Sequence, residues 1–230
     1  NGGANQTITL NASGTASVTN TYTSTTTFAL VSIATTGTPS CSQAQSGSVV
    51  ITVVPPPTVT LTVDNSNVCP NGSATVTFTG TPNGTVTYTV NGGANQTITL
   101  NSAGTATVTN TYSATTTFTI VSITTLGPPN CSQPQTSSIT ITVLPLPVVA
   151  IASNATICFG GSATVTFTGT PNATVTYTIN GGANQTIAMN GAGTATITNT
   201  YTATTTFSLV SVATSGTPSC SQLQTGSLVI

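Results

Sequence analysis

The chain has no lysine, no arginine and no histidine among its 230 residues, and its single acid is Asp64. Nucleic-acid binding neutralises phosphates with Lys or Arg, so that class of partner is excluded. Recruitment to anionic lipid fails for the same reason. General acid–base catalysis at neutral pH draws on His, Asp, Glu or Lys, which one Asp cannot replace. The Ser, Thr, Tyr and Cys side chains have no base beside them, so the sequence points away from an enzyme. Tryptophan is also absent. No run of about eighteen or more apolar residues is present, so no transmembrane helix is expected in this segment. No charged stretch followed by an apolar one opens the chain, as a secretory signal would. Metal ions find no His and no close Cys pair, and calcium finds no cluster of carboxylates. Gly92 and Gly93 lack the lysine and following helix of a phosphate loop. No cofactor is expected.

What is present is a repeat. NGGANQTITLN occurs at 1–11 and 91–101, and as NGGANQTIAMN at 180–190. The starts are 90 and 89 residues apart (91 − 1 and 180 − 91), and the flanking text recurs with them. The chain therefore reads as an array of one unit, seen about two and a half times. Residues 1–53 are the C-terminal part of a unit, 54–143 a complete unit and 144–230 a nearly complete one. The array is read as a window on something longer. VPPPT at 54–58 and LPLP at 144–147 are the joints, since proline cannot donate in a sheet ladder and consecutive prolines hold a connector extended.

Within each unit, Thr alternates with Val, Ile and aromatic residues, and Gly, Asn, Pro and Ser punctuate the runs. In the complete unit the pattern predicts strands at 58–63, 73–79, 85–90, 96–101, 104–112, 115–124 and 137–143. In the first unit it predicts strands at 5–11, 14–22, 25–35 and 47–53. Seven short strands in about ninety residues predict an all-β fold of tandem Ig-like β-sandwiches joined by proline-rich linkers. The inward set is Ala74, Val76, Phe78, Val86, Tyr88, Val90, Ile98, Leu100, Ala106, Val108, Phe118, Ile120, Ile139 and Ile141. The outer faces become carpets of Thr hydroxyls, nearly indifferent to pH and salt. Asn-x-Ser/Thr triplets such as those at Asn5, Asn71, Asn83, Asn172 and Asn184 follow from a composition rich in Asn and Thr.

The five cysteines are Cys41, Cys69, Cys131, Cys158 and Cys220. Cys69 and Cys131 are separated by the same 62 residues as Cys158 and Cys220 (131 − 69 and 220 − 158). The simplest pairing is therefore Cys69–Cys131 and Cys158–Cys220, one bridge per unit, tying loops at one end of each sandwich. Cys41 would then pair with a residue before the chain begins. The rival pairing, Cys41–Cys69 and Cys131–Cys158, would staple neighbouring units across their linkers. Regular disulfides imply an oxidising compartment.

The string CPNGSATVTFTGTP at 69–82, followed by VTYTVNGGANQT at 86–97, with GPPNCSQ and ITVLPLP downstream, resembles the tandem Ig-like or PKD-like repeats of giant surface proteins of Bacteroidota, especially flavobacteria. The likeness covers the whole chain. It implies export by the type IX route, an extracellular location, and a role as a surface adhesin or filament, including gliding adhesins. The expected function is a structural stalk whose partners are neighbouring repeats and, through lateral self-association, other fibres. The alternative is a module binding surface glycans or another partner multivalently, which predicts loops that differ between units. The loops barely do: GTPNG stands against GTPNA, and GTPSCSQ against GPPNCSQ.

Overall fold

Alternation governs every element. In Gly72–Gly80 the side chains of Ala74, Val76 and Phe78 are buried, while the intervening threonines face outward. The structure, a computed structural model, describes residues 1–153 and 156–230; the one-residue shortening of the third unit between Ile151 and Cys158 lies partly outside them. Among the described residues there is no helix, and the chain is all-β.

The first unit contributes β1 (Thr26–Ala29), β2 (Ser32–Ala34), β3 (Ser42–Ala44) and β4 (Ser48–Ile51), paired as β1 with β4 and β2 with β3. The strands expected at 5–11 and 14–22 do not form. The reason lies in the complete unit that follows, where the matching strands pair only with elements that have no counterpart in residues 1–53. Apolar residues of the first unit such as Ile8, Leu30, Ile33 and Val49 are accordingly exposed.

The second unit comprises β5 (Val59–Val63), β6 (Asn67–Val68), β7 (Gly72–Gly80), β8 (Thr85–Val90), β9 (Gln96–Thr99), β10 (Thr105–Tyr112), β11 (Thr116–Thr124), β12 (Ser132–Pro134) and β13 (Ser138–Val143). One sheet is β10-β7-β5; the other runs β6-β13-β11-β8-β9, with β12 also on β11. All pairs are antiparallel except β6 with β13. This is an Ig-like sandwich. The core between the sheets holds Val76 and Phe78 from one and Val86, Tyr88, Phe118 and Ile120 from the other. Phe78 meets Tyr88 at 5.1 Å, and Tyr88 stacks on Phe118 at 6.0 Å. Every residue of the expected inward set is buried or packed against this core. Val59, Val68, Tyr112 and Ile123 join it unanticipated. Ile123 does so because a bulge between Ile120 and Ser122 reverses the facing of β11 beyond it.

The third unit repeats the plan with β14 (Val149–Ser153), β15 (Gly161–Gly169), β16 (Thr174–Ile179), β17 (Gln185–Ala188), β18 (Thr194–Tyr201), β19 (Thr206–Ala213), β20 (Ser221–Leu223) and β21 (Ser227–Val229). One sheet is β14-β15-β18, and the other is β17-β16-β19-β20 with β21 also on β19. Its core is separate, built on Val165, Phe167, Val175, Tyr177, Phe207 and Val212.

The recurring NGG segment has a structural role. Asn91 and Asn180 adopt a positive φ of 50°. Their side-chain oxygens accept hydrogen bonds from the backbone N–H of Thr117 and Thr206, both at 2.7 Å. Ten residues on, the Asn101 side chain accepts from the N–H groups of Ala103 and Thr105 at 2.9 Å, closing the next turn. The motif is thus a hairpin, a strand and a turn, each fixed by an asparagine.

Candidate functional site

Strand direction decides where each cysteine lies. In the second unit β7 runs from Gly72 at one end, the top, to Gly80 at the other, the base. Cys69 belongs to the top: the Gly72 N–H donates to its carbonyl at 2.7 Å. Cys131 belongs to the base: its carbonyl accepts from the Thr125 N–H at 2.9 Å, next to Thr124, which pairs with Thr85 at the start of β8. A nine-residue strand separates the two ends by about 27 Å. Disulfide geometry requires Cα atoms within about 7 Å. The pairing Cys69–Cys131, and by repetition Cys158–Cys220, is therefore corrected. The two cysteines of one unit sit at opposite ends, because the chain traverses five strands of alternating direction, an odd number, from the start of β7 to the end of β11. The rival pairing across linkers is also not found.

The structure instead joins Cys69 to Cys220, with Cα atoms 5.4 Å apart and a sequence separation of 151. The parallel pairing of β13 with β6 brings Val143 beside Val68, so the chain leaves the second unit at its top, close to Cys69. It enters the third at its base, where Val149 pairs with Gly169. Cys220 lies at that base, its carbonyl accepting from the Thr214 N–H at 2.9 Å. The bridge thus spans the joint between two stacked sandwiches. Cys41 and Cys158 are free and exposed, and Cys131 is free and half-buried.

A shallow groove at the joint is lined by Asp64, Asn65, Ser66 and Asn67 from the second unit and by Thr217 and Pro218 from the third. Asp64 is exposed, yet its carboxylate accepts from the N–H groups of Thr75 and Asn65, each at 2.7 Å. The Thr75 N–H is the main cause holding this carboxyl below its ordinary range, with Asn65 adding to it. The acid is thus committed to closing its own loop. No group of three or more His, Cys, Asp or Glu that could hold a metal occurs among the described residues. None of the described helices could cross a membrane, since there are none. The asparagines of the Asn-x-Ser/Thr triplets at Asn5, Asn71, Asn83, Asn172 and Asn184 are all exposed.

The base loop has one conformation three times. A cis peptide precedes Pro39, Pro129 and Pro218. The N–H groups of Thr35, Thr125 and Thr214 donate to the carbonyls of Cys41, Cys131 and Cys220, each at 2.9 Å. The Thr hydroxyls accept from the cysteine N–H groups at 3.1, 3.3 and 2.9 Å. Sequence spacing could not have found the joint. Any pairing that respects the period gives equal intervals, so 62 and 151 are equally regular.

No family model matches the chain, and no curated protein matches it. Among solved structures, it is similar to the human OSCAR ligand-binding domain, with a TM-score of 0.35 and 17% identity over 76% of this chain and 98% of that one. It is also similar to a C-terminal 282-residue fragment of intimin, solved in complex with the intimin-binding domain of the translocated intimin receptor, with a TM-score of 0.35 and 16% identity over 75% of this chain and 63% of that one. The D0–D1 domain of intimin aligns with a TM-score of 0.28 and 17% identity, over 72% of this chain and 98% of that one. Superpositions this loose carry no argument about function. The strand order of the two complete cores is what makes this chain an array of Ig-like sandwiches.

Proposed function

We propose that the chain is a load-bearing segment of an extracellular bacterial surface fibre, a stalk of tandem Ig-like units that extends an adhesin or forms a filament. On this reading its relatives are the giant type IX-secreted surface proteins of Bacteroidota, gliding adhesins among them. Its work is mechanical, not catalytic. The observation that carries the reading is the Cys69–Cys220 bridge, which fixes one sandwich on top of the next. Several others support it. The base loop is the same in all units, as a spacer requires and a tuned binding site does not. Threonines pair across the outer sheet faces, as Thr75 with Thr109 at 3.0 Å and Thr117 with Thr140 at 2.9 Å, which makes a neutral surface. The disulfide fits an oxidising, extracellular location. Edge strands without lysine, on units without net repulsion, favour lateral bundling.

Electron microscopy of the purified chain tests this. Two complete sandwiches of roughly 40 Å each should appear as one straight rod when oxidised. Reduction should broaden the angle at its middle. An oxidised rod that bends as freely as a reduced one would remove the mechanical reading. Dispersed single rods at high protein concentration would remove the bundling.

A further inference from the structure

We propose that β10 of the second unit, and its counterpart β18 of the third, are docking edges for the same strand of a second copy of this chain, paired antiparallel. The proposal rests on the lateral bundling read above and names the strand that carries it.

β10 and β18 stand apart from the other edges of the two sandwiches. Each is an end strand of its sheet, and each is eight residues long. The remaining edge strands have two to five residues. β5 is further flanked by Pro57 and by Asp64, the one acid, and β14 follows Pro147. Shortness, proline and charge each block the addition of another strand. β10 and β18 contain no proline and no charge, and each pairs with its neighbour in unbroken register. Their sequences, at 105–112 and 194–201, differ only in Ile197 for Val108. Their inward side chains are left part-covered. Val76 of β7 is wholly buried, while Val108 opposite it on β10 is only half-buried, and Ile197 opposite the buried Val165 is the same. A further strand beyond β10 or β18 would cover them.

A second copy meets what this edge requires. β7 shows the pattern that β10 accepts: Val76 opposite Val108 on the inner face, and Thr75 opposite Thr109 on the outer, their hydroxyls 3.0 Å apart. β10 offers the same alternation to its own copy. About a two-fold axis at Val108, Thr107 faces Thr109 and Thr105 faces Thr111 on the outside. Inside, Val108 faces Val108 and Ala106 faces Asn110. A slip of one residue would set threonines against the inner face. A slip toward Tyr112 is blocked, because that residue is buried and its carbonyl already accepts from the Asn71 N–H at 2.8 Å. With one acid per chain, nothing repels the approach of a copy, and no charge on the edge selects an ionic partner. The contact is isologous, so each edge is closed by one copy, and the two chains run antiparallel. One such pairing is small; its recurrence on the next unit raises the avidity of the array.

The test follows the full oxidised chain at rising concentration by sedimentation velocity and by hydrogen–deuterium exchange. Association is expected, with protection gained at 105–111 and 194–200. Thr107→Lys with Thr196→Lys should abolish both. The two lysines take the net charge from −1 to +1, so its magnitude does not change. Thr119→Lys with Ser208→Lys puts the same charges on the middle strands β11 and β19 and should leave association intact. Asn110→Lys with Asn199→Lys, at exposed edge positions, repeats the edge test if thermal melting shows the first pair unfolded. Equal association of edge and middle variants overturns the proposal, as does protection gained on β5 or β9 in place of β10. Association through another strand sinks this edge alone and leaves bundling. A chain that stays monomeric sinks edge and bundling together, while the stalk reading stands or falls on the straightness of the oxidised rod.

Discussion

Asn91 shows how a single amide side chain fixes a turn in a unit almost without charge. Its φ of 50° is one that alanine adopts at a cost of about 1–2 kcal/mol. Its side-chain bond from the Thr117 N–H contributes about 1 kcal/mol. Asn91→Ala should therefore destabilise the second unit by roughly 2 kcal/mol, and Asn91→Gly by about half that, because glycine relieves the backbone and loses only the bond. Urea denaturation of both variants checks the order; an alanine variant as stable as the parent would contradict it. The few titratable groups also fix the pH response. The Asp64 carboxyl is held low in the fold, chiefly by the Thr75 N–H, so its contribution is present above the unfolded value of about 3.9 and is lost as pH falls through the lower folded value. Burial pushes the Tyr112, Tyr177 and Tyr201 phenols up, with the Asp64 charge adding at Tyr112 and Tyr201 adding at Tyr177. Their contribution is complete below the unfolded value of about 10 and is lost as pH rises through the higher folded values. Melting temperature should therefore be flat between about pH 5 and 9 and fall beyond pH 10. A maximum inside that plateau would count against this assignment.

At the scale of elements, the strands and their inward faces were legible because Thr-Val alternation has only one way to bury its apolar half. Val76, Phe78, Tyr88 and Phe118 needed no more than period two. Ile123 was hidden by a bulge that no residue type announces. The short β6 and β12 are defined by neighbours more than by their own composition. The bridge was illegible for a different reason: the period fixes which cysteines are equivalent, not which unit supplies the partner. Only the parity of strand reversals between Cys69 and Cys131 separates them, and that has to be counted through the topology. The bridge has a thermodynamic consequence. Opening the second unit alone leaves a closed loop of about 80 residues, from Cys69 to the base of the still-folded third unit, which the loop-entropy model penalises by about 4.5 kcal/mol. Opening the third afterwards enlarges that loop to 151 residues, and doubling a loop adds only about 0.6 kcal/mol. The first opening is thus opposed and the second hardly at all. Calorimetry should show the two cores melting together when oxidised and as two lower transitions when reduced. Separate transitions in the oxidised chain would show that the bridge does not couple them.

For the whole molecule, the bridge changes which residues carry tension. A pull applied at the two ends reaches Cys69, crosses the sulfur–sulfur bond and leaves through Cys220, so the intervening residues bear no load while the bridge is intact. Those residues hold β7 to β19, which include nearly all of both cores. Only β5 and β6 of the second unit, and β20 and β21 of the third, lie on the loaded path. Peeling them still requires stripping Val59 and Val68 from the core, which resists extension without releasing the sandwich behind them. Single-molecule stretching of the full chain, held at its ends, should therefore give no release of a whole sandwich when oxidised. In a reducing buffer two events should appear. Each unit has about 85 residues and extends by at most about 3.5 Å per residue, so each event should lengthen the tether by roughly 250–300 Å. Cys69→Ser should behave in oxidising buffer as the parent does in reducing buffer. Two full-length releases from the oxidised parent would mean that the load runs through the cores, and the joint would then be a hinge rather than a clamp.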